Sequence, residues 1–491
     1  MNQEKESSWR KQSNSGFTTV WLVMILSSLI MLLLVIIEAS SGFVCSSICR
    51  SVCAGAGQSV LSEYNTPLYE HYGVFALRAN DTKLSSAASY YIGNNISAEN
   101  CIVKPKQTDC TVMTESYPGL NYKLFEAQIK ALGIQTGISS ALNGNTLTEA
   151  VSGLAELSEH ADSLSDTSLD TLQKMKKESS ANAKDLEKEA SVLKEELAEI
   201  RKSDECDDHV CKELEEEINK LEDEADEARD DANKAKDLIR RYNSAIDPDF
   251  SEKGGKVISQ AVSNQLPSTV LEIKETISLV LSGGIAEFSP DALACGEYIL
   301  NTCSNLQKKT GNTVLDGETE YILFGHKEDG RNLAAVKRGL FSIRFPLALE
   351  AIYSDASKMA EYNAAAAAFL PVPTALTVFV MASVDASARA LSDIERLCAG
   401  ADVPFINGGK GGSYTDHLRI LLLLLPQDTK MIRLMDIMQM DLTEKFGEAF
   451  AFRDFCYGFD MTAEFEKRVR VSVIDIPSIR KGKINITVCY K

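Results

Sequence analysis

Cysteine is the residue type in this sequence that is best suited to chemistry. The chain has 12 cysteines, and all of them follow an uncharged N-terminal segment. Their close spacing predicts three disulfide bonds, Cys101–Cys110, Cys206–Cys211 and Cys295–Cys303, because such pairs outside the cytosol favour disulfides over metal ligation. No Cys-x-x-Cys spacing occurs and the 5 histidines are scattered, so no metal site is predicted.

Cys45, Cys49 and Cys53 recur every four residues, which places them on one face of a helix. Cysteines four apart on a helix seldom bridge each other, because a disulfide needs a tightly constrained geometry. One interpretation is pairing with a second copy of the chain or with later cysteines. The alternative is a buried face of small residues, because alanines and glycines follow directly at positions 54–57.

The sequence carries no constellation that supports catalysis. Neither a Gly-x-Ser-x-Gly nor a His-Glu-x-x-His motif occurs, and the glycine-rich residues 405–414 lack the Gly-Lys-Ser/Thr order of a phosphate-binding loop. Glu297, Glu318 and Glu320 are isolated acids near an apolar stretch. We therefore expect a protein that is not an enzyme and has no cofactor.

The length and the net charge of the chain limit the classes of partner that it can bind. The chain has 491 residues, which suits two or more domains, and a net charge of −19. This charge argues against nucleic acid as a partner, because phosphate binding needs clustered Lys and Arg. For the same reason it disfavours a polybasic contact with anionic lipid, and it suits an acidic extracellular surface.

An element that decides the compartment is the uncharged segment Gly16–Ile37, which is long enough to span a bilayer as a helix. It is longer than the apolar core of a cleaved signal peptide, so we expect a retained anchor; cleavage near residues 39–42 is the alternative. Basic residues precede it (Lys5, Arg10 and Lys11), which predicts a cytoplasmic N-terminus and an extracytoplasmic bulk in the cell membrane.

A second clear element is an antiparallel coiled-coil hairpin over residues 166–246. No proline occurs between Pro118 and Pro248, and apolar residues alternate at spacings of four and three, as in a heptad seam. The seam residues are Leu186, Leu193, Leu197, Ile200, Leu214, Ile218, Leu221 and Ile239. The polar residues 203–211 interrupt the seam, so Cys206–Cys211 would close the turn. There are two alternatives to the hairpin. One is a continuous helix that pairs with the same helix of another chain, and the other is a solvated charged helix without a partner.

The predicted fold is mainly α, with a small β-rich element that makes the whole α+β. Its parts are a cytoplasmic tail (1–15), a transmembrane helix and small-residue stalk (16–62), the N-terminal globular part (63–165), the coiled-coil hairpin (166–246), a helical core (247–455) and a β-rich C-terminus (456–491). We expect a disulfide-bridged loop within 80–120 and a C-terminal hairpin with its turn at Ile476–Gly482. The uncharged segment 364–384 is interrupted by prolines, so we expect two buried helices there. The alternative is that this segment crosses the membrane a second time.

Four stretches carry a resemblance to a known family: Gly16–Glu38, LSEYNTPLYEHYGVFAL at 61–77, the segment 318–344 that begins ETEYILFG, and GGSYTDHLRILLLLLP with the following helix at 411–442. The chain resembles uncharacterised proteins of Clostridia that are associated with tight-adherence (Tad) pilus loci, the membrane-anchored, pseudopilin-like TadE/TadG proteins. The resemblance implies a pilus-associated component with an extracytoplasmic domain, and it transfers no catalytic residue.

The chain departs from a pilin at one position. A prepilin processed after Gly16 would carry glutamate five residues into the mature chain, where this sequence has Trp21. The expected function is therefore that of an accessory surface-assembly component rather than a major pilin. Expected partners are the membrane, other pilus or secretion-assembly proteins, and a second copy through the transmembrane stalk. The alternative function is an envelope sensor or secretion scaffold unrelated to pili.

Overall fold

The structure is a computed structural model that describes residues 3–98, 103–141, 145–202, 208–250, 254–257, 290–310, 314–370, 372–404, 411–447, 449–471 and 474–490. The α-helices are α1 (Gln3–Leu61), α2 (Thr66–Tyr72), α3 (Asp81–Ala98), α4 (Tyr122–Ala141), α5 (Asn145–Ile200), α6 (Asp208–Ile246), α7 (Pro290–Thr302), α8 (Glu318–Phe324), α9 (Asp329–Tyr353), α10 (Ala356–Ala366), α11 (Thr374–Cys398), α12 (Tyr414–Leu424) and α13 (Gln427–Phe446). The strands are β1 (Leu77–Arg78), β2 (Val103–Met113), β3 (Val403–Pro404), β4 (Gly411–Gly412), β5 (Phe455–Cys456), β6 (Gly458–Val471) and β7 (Ile474–Cys489). The fold is mainly helical with small sheets, as the sequence predicts.

The chain divides into two compact units. Unit 1 comprises Met1–Gln128 with Glu448–Lys491, and unit 2 comprises Ile129–Gly447. Unit 1 thus joins the two ends of the chain, because its sheet pairs strands from both.

The sheet of unit 1 is antiparallel, in the order β2-β6-β7. The predicted C-terminal hairpin is confirmed as β6–β7, but its predicted turn is wrong: Val471 pairs with Ile474, and the segment Ile476–Gly482 lies within β7. The predicted loop within 80–120 is also wrong over most of its length, because α3 and β2 occupy it. The polar, alternating pattern of β2 suits a strand with one solvated face.

The core of unit 1 lies between the sheet and two helices. Phe459, Met461, Ala463 and Phe465, which alternate along the first part of β6, are buried there. The C-terminal half of α1 covers this face, and the side chains of Ala88 and Ile92 in α3 complete the cluster. The predicted stalk therefore continues the N-terminal helix without a break, and its small residues allow close approach to the sheet.

Unit 2 contains the long pair α5–α6 and a helical core. In that core α9, α10 and α11 pack around Ile352, Tyr362, Ala382 and Ala386, all of them buried. Helix α8 is buried over its whole length and contacts α9, α12 and α13. This arrangement places two glutamates of α8 in the interior.

Two described helices are long and apolar enough to cross a membrane. One begins at Phe17 in α1, and none of its most apolar window is buried; the other is α11, with 50% of that window buried. Residues 364–384 contribute the end of α10, a short 3₁₀ turn (Ala367–Phe369) and the start of α11. Half of this window of α11 thus packs against protein.

Candidate functional site

Helices α5 and α6 form an antiparallel pair that we call the arm. Three ion pairs join the two helices: Glu187 with Arg229, Lys194 with Glu222, and Arg201 with Glu215. The partners run in opposite order along the two helices, which sets the antiparallel direction. The arm therefore has one register over at least these contacts.

The predicted seam lies between the two helices of the arm. Leu197 and Ile218 are buried, and the other six seam residues are half-buried. Near the tip, Leu197, Ile218 and Cys211 form one apolar cluster. The supercoil of a coiled coil stays a prediction, whereas the antiparallel pairing is observed.

The base of the arm packs on the core of unit 2, which the sequence did not predict. Leu172 of α5 and Leu238 and Tyr242 of α6 share one cluster with Phe379 and Val380 of α11. The rings of Tyr242 and Phe379 lie 5.5 Å apart between centroids. The available signal for this contact was the aromatic residue Tyr242, which lies three residues beyond the seam residue Ile239. The arm is thus attached to the core by its root while its tip projects from it.

The surface of the arm is strongly acidic along α6. Residues 212–231 carry 11 acidic and 3 basic side chains, and most of the acids are exposed. Side chains at Glu216, Glu217 and Glu227 lie on this exposed surface. Such a surface attracts a positively charged partner and is screened by salt.

The cysteine predictions have mixed outcomes. Cys303 is a fully buried free thiol, so the predicted Cys295–Cys303 bridge is not formed. Helix α7 explains this, because eight residues of helix separate two Cα atoms by ~12 Å, beyond the reach of a disulfide. Cys101 and Cys206 lie outside the described residues, so their bonds to Cys110 and Cys211 stay predictions.

The three cysteines of α1 belong to the core of unit 1. Cys45, Cys49 and Cys53 are all buried in the cluster that α1 shares with the sheet, together with Cys110. Their placement matches the buried-face interpretation of the spacing. In this position they pack as small apolar residues.

A buried polar network surrounds α8. Oε2 of Glu318 accepts the Ser304 backbone N–H at 2.8 Å, and Oε1 of Glu320 accepts the Leu306 N–H at 2.9 Å and the Tyr414 hydroxyl at 2.9 Å. Burial raises the pKa of Glu318 from 4.5 to about 7 and that of Glu320 to about 6, although these hydrogen bonds lower both values. The two carboxyls hold the segment after α7 against α8.

The C-terminal end of α8 is held by a buried arginine. Arg433 Nη1 donates to the carbonyl oxygens of Ile322 at 2.9 Å and Leu323 at 2.6 Å, which are among the carbonyls that a helix end leaves without intrahelical partners. Gly325 ends the helix at a φ of 72°, and a Cβ there would lie 2.9 Å from the Arg433 guanidinium carbon. The guanidinium and the glycine therefore occupy one small space.

These contacts give the acids near the apolar stretch a structural role. Glu297 forms an ion pair with Arg419, whereas Glu318 and Glu320 bind backbone amides. Among the described residues, no group of three or more His, Cys, Asp or Glu side chains is placed to hold a metal ion. The arrangement stabilises the core and orders the loops that connect its helices.

One comparison with known proteins found a match, and it covers this part of the chain. A family model described as "Family of unknown function (DUF5702)" matches residues 250–409 and 406–467. The chain is similar to this family over less than half of its length, and the matched part contains α8 and its polar network. No curated protein and no solved structure matches the chain. The association with Tad pili therefore stays a prediction.

Proposed function

We propose that this chain is a non-enzymatic, membrane-anchored component of an extracytoplasmic surface-assembly system, such as a Tad-like pilus. The observation that carries the proposal is the arm, a long antiparallel helix pair rooted in the core by Leu172 and Tyr242. A rooted, projecting helix pair suits contact with another protein. The exposed apolar start of α1 supplies the anchor.

The proposed orientation places the N-terminus in the cytoplasm, and it places unit 2 and the part of unit 1 that follows the apolar segment outside the cell membrane. Lys5, Arg10 and Lys11 precede the apolar segment, and basic residues stay preferentially on the cytoplasmic side. The cysteine content suits the same compartment. Reaction of single introduced cysteines near residue 5 and residue 178 with a membrane-impermeant thiol reagent tests this orientation, and labelling at residue 5 in intact cells would contradict it.

The proposed partner of the arm has a basic surface. The acidic stretch 212–231 of α6 provides the complementary charge, which increases the rate of association and selects the partner. Association through small residues of α1 can add a second copy of the chain, because small residues let helices approach closely in membranes.

Deletion of the gene in its host tests the function. We expect loss of surface fibres or of adhesion, and restoration by the wild-type gene. Unchanged fibres and adhesion would contradict the proposal. A secretion or envelope defect with normal fibres would favour the alternative of an envelope sensor or secretion scaffold.

A charge-reversal variant tests the arm. Glu216→Lys, Glu217→Lys and Glu227→Lys together should fail to restore the deleted function, because the surface of α6 would repel a basic partner. The matched control reverses Glu195, Glu196 and Glu199 on the exposed surface of α5. Equal loss of function in both triple variants would refute a specific α6 surface, provided that both proteins reach the membrane in wild-type amounts.

A further inference from the structure

Four buried cysteines from two different elements meet in the core of unit 1. Cys45, Cys49 and Cys53 lie on one face of α1, and Cys110 lies on β2. All four belong to one apolar cluster, and all four are free thiols in this structure. The function proposed above uses none of them. Two of these thiols, one from each element, are placed to form a bond.

The side chain of Cys110 lies on the helix-covered face of the sheet. Cys110 and Val112 are buried, whereas Thr111 and Met113, which alternate with them along β2, are exposed. Helix α1 contacts β2, and Cys53 is fully buried in the cluster that they share. The anchor helix and the strand thus present one thiol each to the same interior.

The thiols of Cys53 and Cys110 are near enough to interact electrostatically. Burial and then the neighbouring Cys110 thiol raise the pKa of Cys53 to about 12, and burial also raises the pKa of Cys110. The Cys49 thiol is instead hydrogen-bonded to Cys45, one turn away on the same helix, where disulfide geometry is poor. Of the pairings within this cluster, the one between helix and strand has the fewest geometric obstacles.

Cys101 competes with Cys53 for the sulfur of Cys110, because the sequence predicts a Cys101–Cys110 bond. Within β2, ~23 Å of extended chain separate Val103 from Cys110. A disulfide needs Cα atoms within ~7 Å of each other. The extended strand therefore favours a partner across the core over a partner near the start of the strand.

We propose that a disulfide joins Cys53 to Cys110 in the extracytoplasmic compartment and ties the anchor helix covalently to the sheet. The inference rests on the orientation proposed above, because disulfides form and persist outside the cytosol. Strand β2 pairs with β6, so a pull on the anchor would reach the sheet through a covalent bond as well as through packing.

The bond forms by thiol–disulfide exchange with a disulfide-bearing oxidant of that compartment. One protein thiolate attacks the oxidant's disulfide and expels a thiolate, and the second protein thiolate attacks the mixed disulfide and expels the other. The two protein thiols lose two electrons and two protons, and the oxidant becomes two thiols. Because burial suppresses the thiolate form, oxidation takes place while unit 1 folds, and packing then shields the bond from reductant.

Peptide mapping of the full chain tests the bond directly. The protein is extracted from the membrane of its host, its free thiols are alkylated in denaturant, and it is digested with trypsin without reductant. Cleavage at lysine and arginine leaves Cys53 alone in residues 51–78 and Cys110 alone in residues 107–123. We expect these two peptides as one linked species that separates on reduction.

Three other results would overturn the proposal. The first is a link between residues 107–123 and residues 84–106, which contain Cys101 as their one cysteine. The second is a dimer of residues 51–78, which would mean pairing between two copies of the chain. The third is alkylation of both Cys53 and Cys110.

The thiol-labelling experiment at residue 178 separates the two ways in which alkylation of both cysteines could arise. If residue 178 is labelled in intact cells, the orientation holds and the disulfide alone is refuted. If residue 178 is not labelled, the orientation is refuted and the disulfide with it.

Variants test the pairing and its effect on stability. Cys53→Ala should leave Cys110 free for alkylation, whereas Cys45→Ala, the matched control in the same cluster, should keep the linked peptide. Reduction in mild denaturant should lower the thermal unfolding midpoint of wild type and of the control, but not that of Cys53→Ala, because a disulfide constrains the unfolded chain. An equal effect of reduction on all three proteins would contradict the proposed tie.

Discussion

Replacement of Glu318 by glutamine tests whether the carboxyl inside the core is protonated in the folded protein. Glu318 is completely buried, and its Oε2 accepts the Ser304 N–H at 2.8 Å. Its Oε1 has no hydrogen-bond partner among the described residues. Burial raises its pKa from 4.5 to about 7, so the folded state holds a proton there that the unfolded chain releases.

The magnitude follows from the two pKa values. Below pH 4.5 the Glu318 carboxyl is protonated in both the folded and the unfolded chain, and it then resembles the neutral amide of glutamine. Between pH 4.5 and about 7 the unfolded chain ionises first, so the stability that the protonated carboxyl contributes is lost as the pH rises. A pKa difference of about 2.5 corresponds to roughly 3 kcal/mol. Relative to wild type, Glu318→Gln should therefore gain roughly 3 kcal/mol in free energy of opening between pH 4.5 and pH 8.

Hydrogen exchange with mass spectrometry measures this difference in the full chain in detergent micelles. Peptides that cover residues 290–310 and 314–324 report the opening of α7 and α8. Wild type and variant are compared at the same pH, so intrinsic exchange chemistry cancels. The effect of His417 cancels as well, because both proteins contain this residue. Burial lowers the pKa of His417 to about 4, so its contribution to stability is lost as the pH falls below about 6.5, whereas that of Glu318 is lost as the pH rises.

The control is Glu350→Gln, on the exposed surface of α9, which should leave the pH profile of exchange unchanged. The reasoning fails if Glu318→Gln differs from wild type by the same free energy at pH 4.5 and pH 8. It also fails if the variant is less stable than wild type at pH 8 alone, because the folded core would then require the ionised carboxylate.

Three further predictions concern the arm, the end of α8 and the tip cysteines. Leu197→Ala should destabilise the arm tip by about 2–5 kcal/mol, measured as lost exchange protection in α5 and α6, and unchanged protection would contradict the buried seam. Gly325→Ala should lower stability by about 2 kcal/mol or more in thermal unfolding, whereas Gly447→Ala, with a similar φ but open space, should lose only about 1 kcal/mol. A Cys206–Cys211 bond predicts a linked peptide in non-reducing mass spectrometry, and two free thiols would refute it.

Local patterns in the sequence predicted the elements that depend on local physics. The uncharged segment predicted a helix able to cross a membrane, because its length alone matches a bilayer. The four-three spacing of Leu214, Ile218 and Leu221, and the same spacing in the helix before them, placed apolar residues on one face of two long helices. Alternation near the C-terminus predicted a hairpin, although residue types alone misplaced its turn.

The sequence did not predict which strands pair when they lie far apart along the chain. Strand β2 pairs with β6 across more than 300 residues, with Cys110 opposite Ala463. Its polar alternation fits an exposed loop as well as a half-solvated strand, so only the partner strand decides. The Cys295–Cys303 prediction failed for a related reason, since spacing in sequence gives distance in space only when the intervening structure is known.

The acids of α8 show the same limit at the candidate site. The sequence identifies Glu318 and Glu320 as acids near an apolar stretch, but it does not say what they contact. The structure gives them backbone amides of the segment after α7 as partners, and it thereby raises the pKa of both through burial.

The sequence by itself determined an apolar N-terminal helix, a pair of long charged helices and an overall acidic charge, because each depends on composition or on neighbours within a few turns. Only the tertiary structure decided where the arm is rooted, which carboxyls are buried, and that Lys481 and Lys483 of β7 lie opposite Glu466 and Glu464 of β6. Net charge is a sum over the chain, whereas binding depends on the charges that folding brings within a few ångströms of one another.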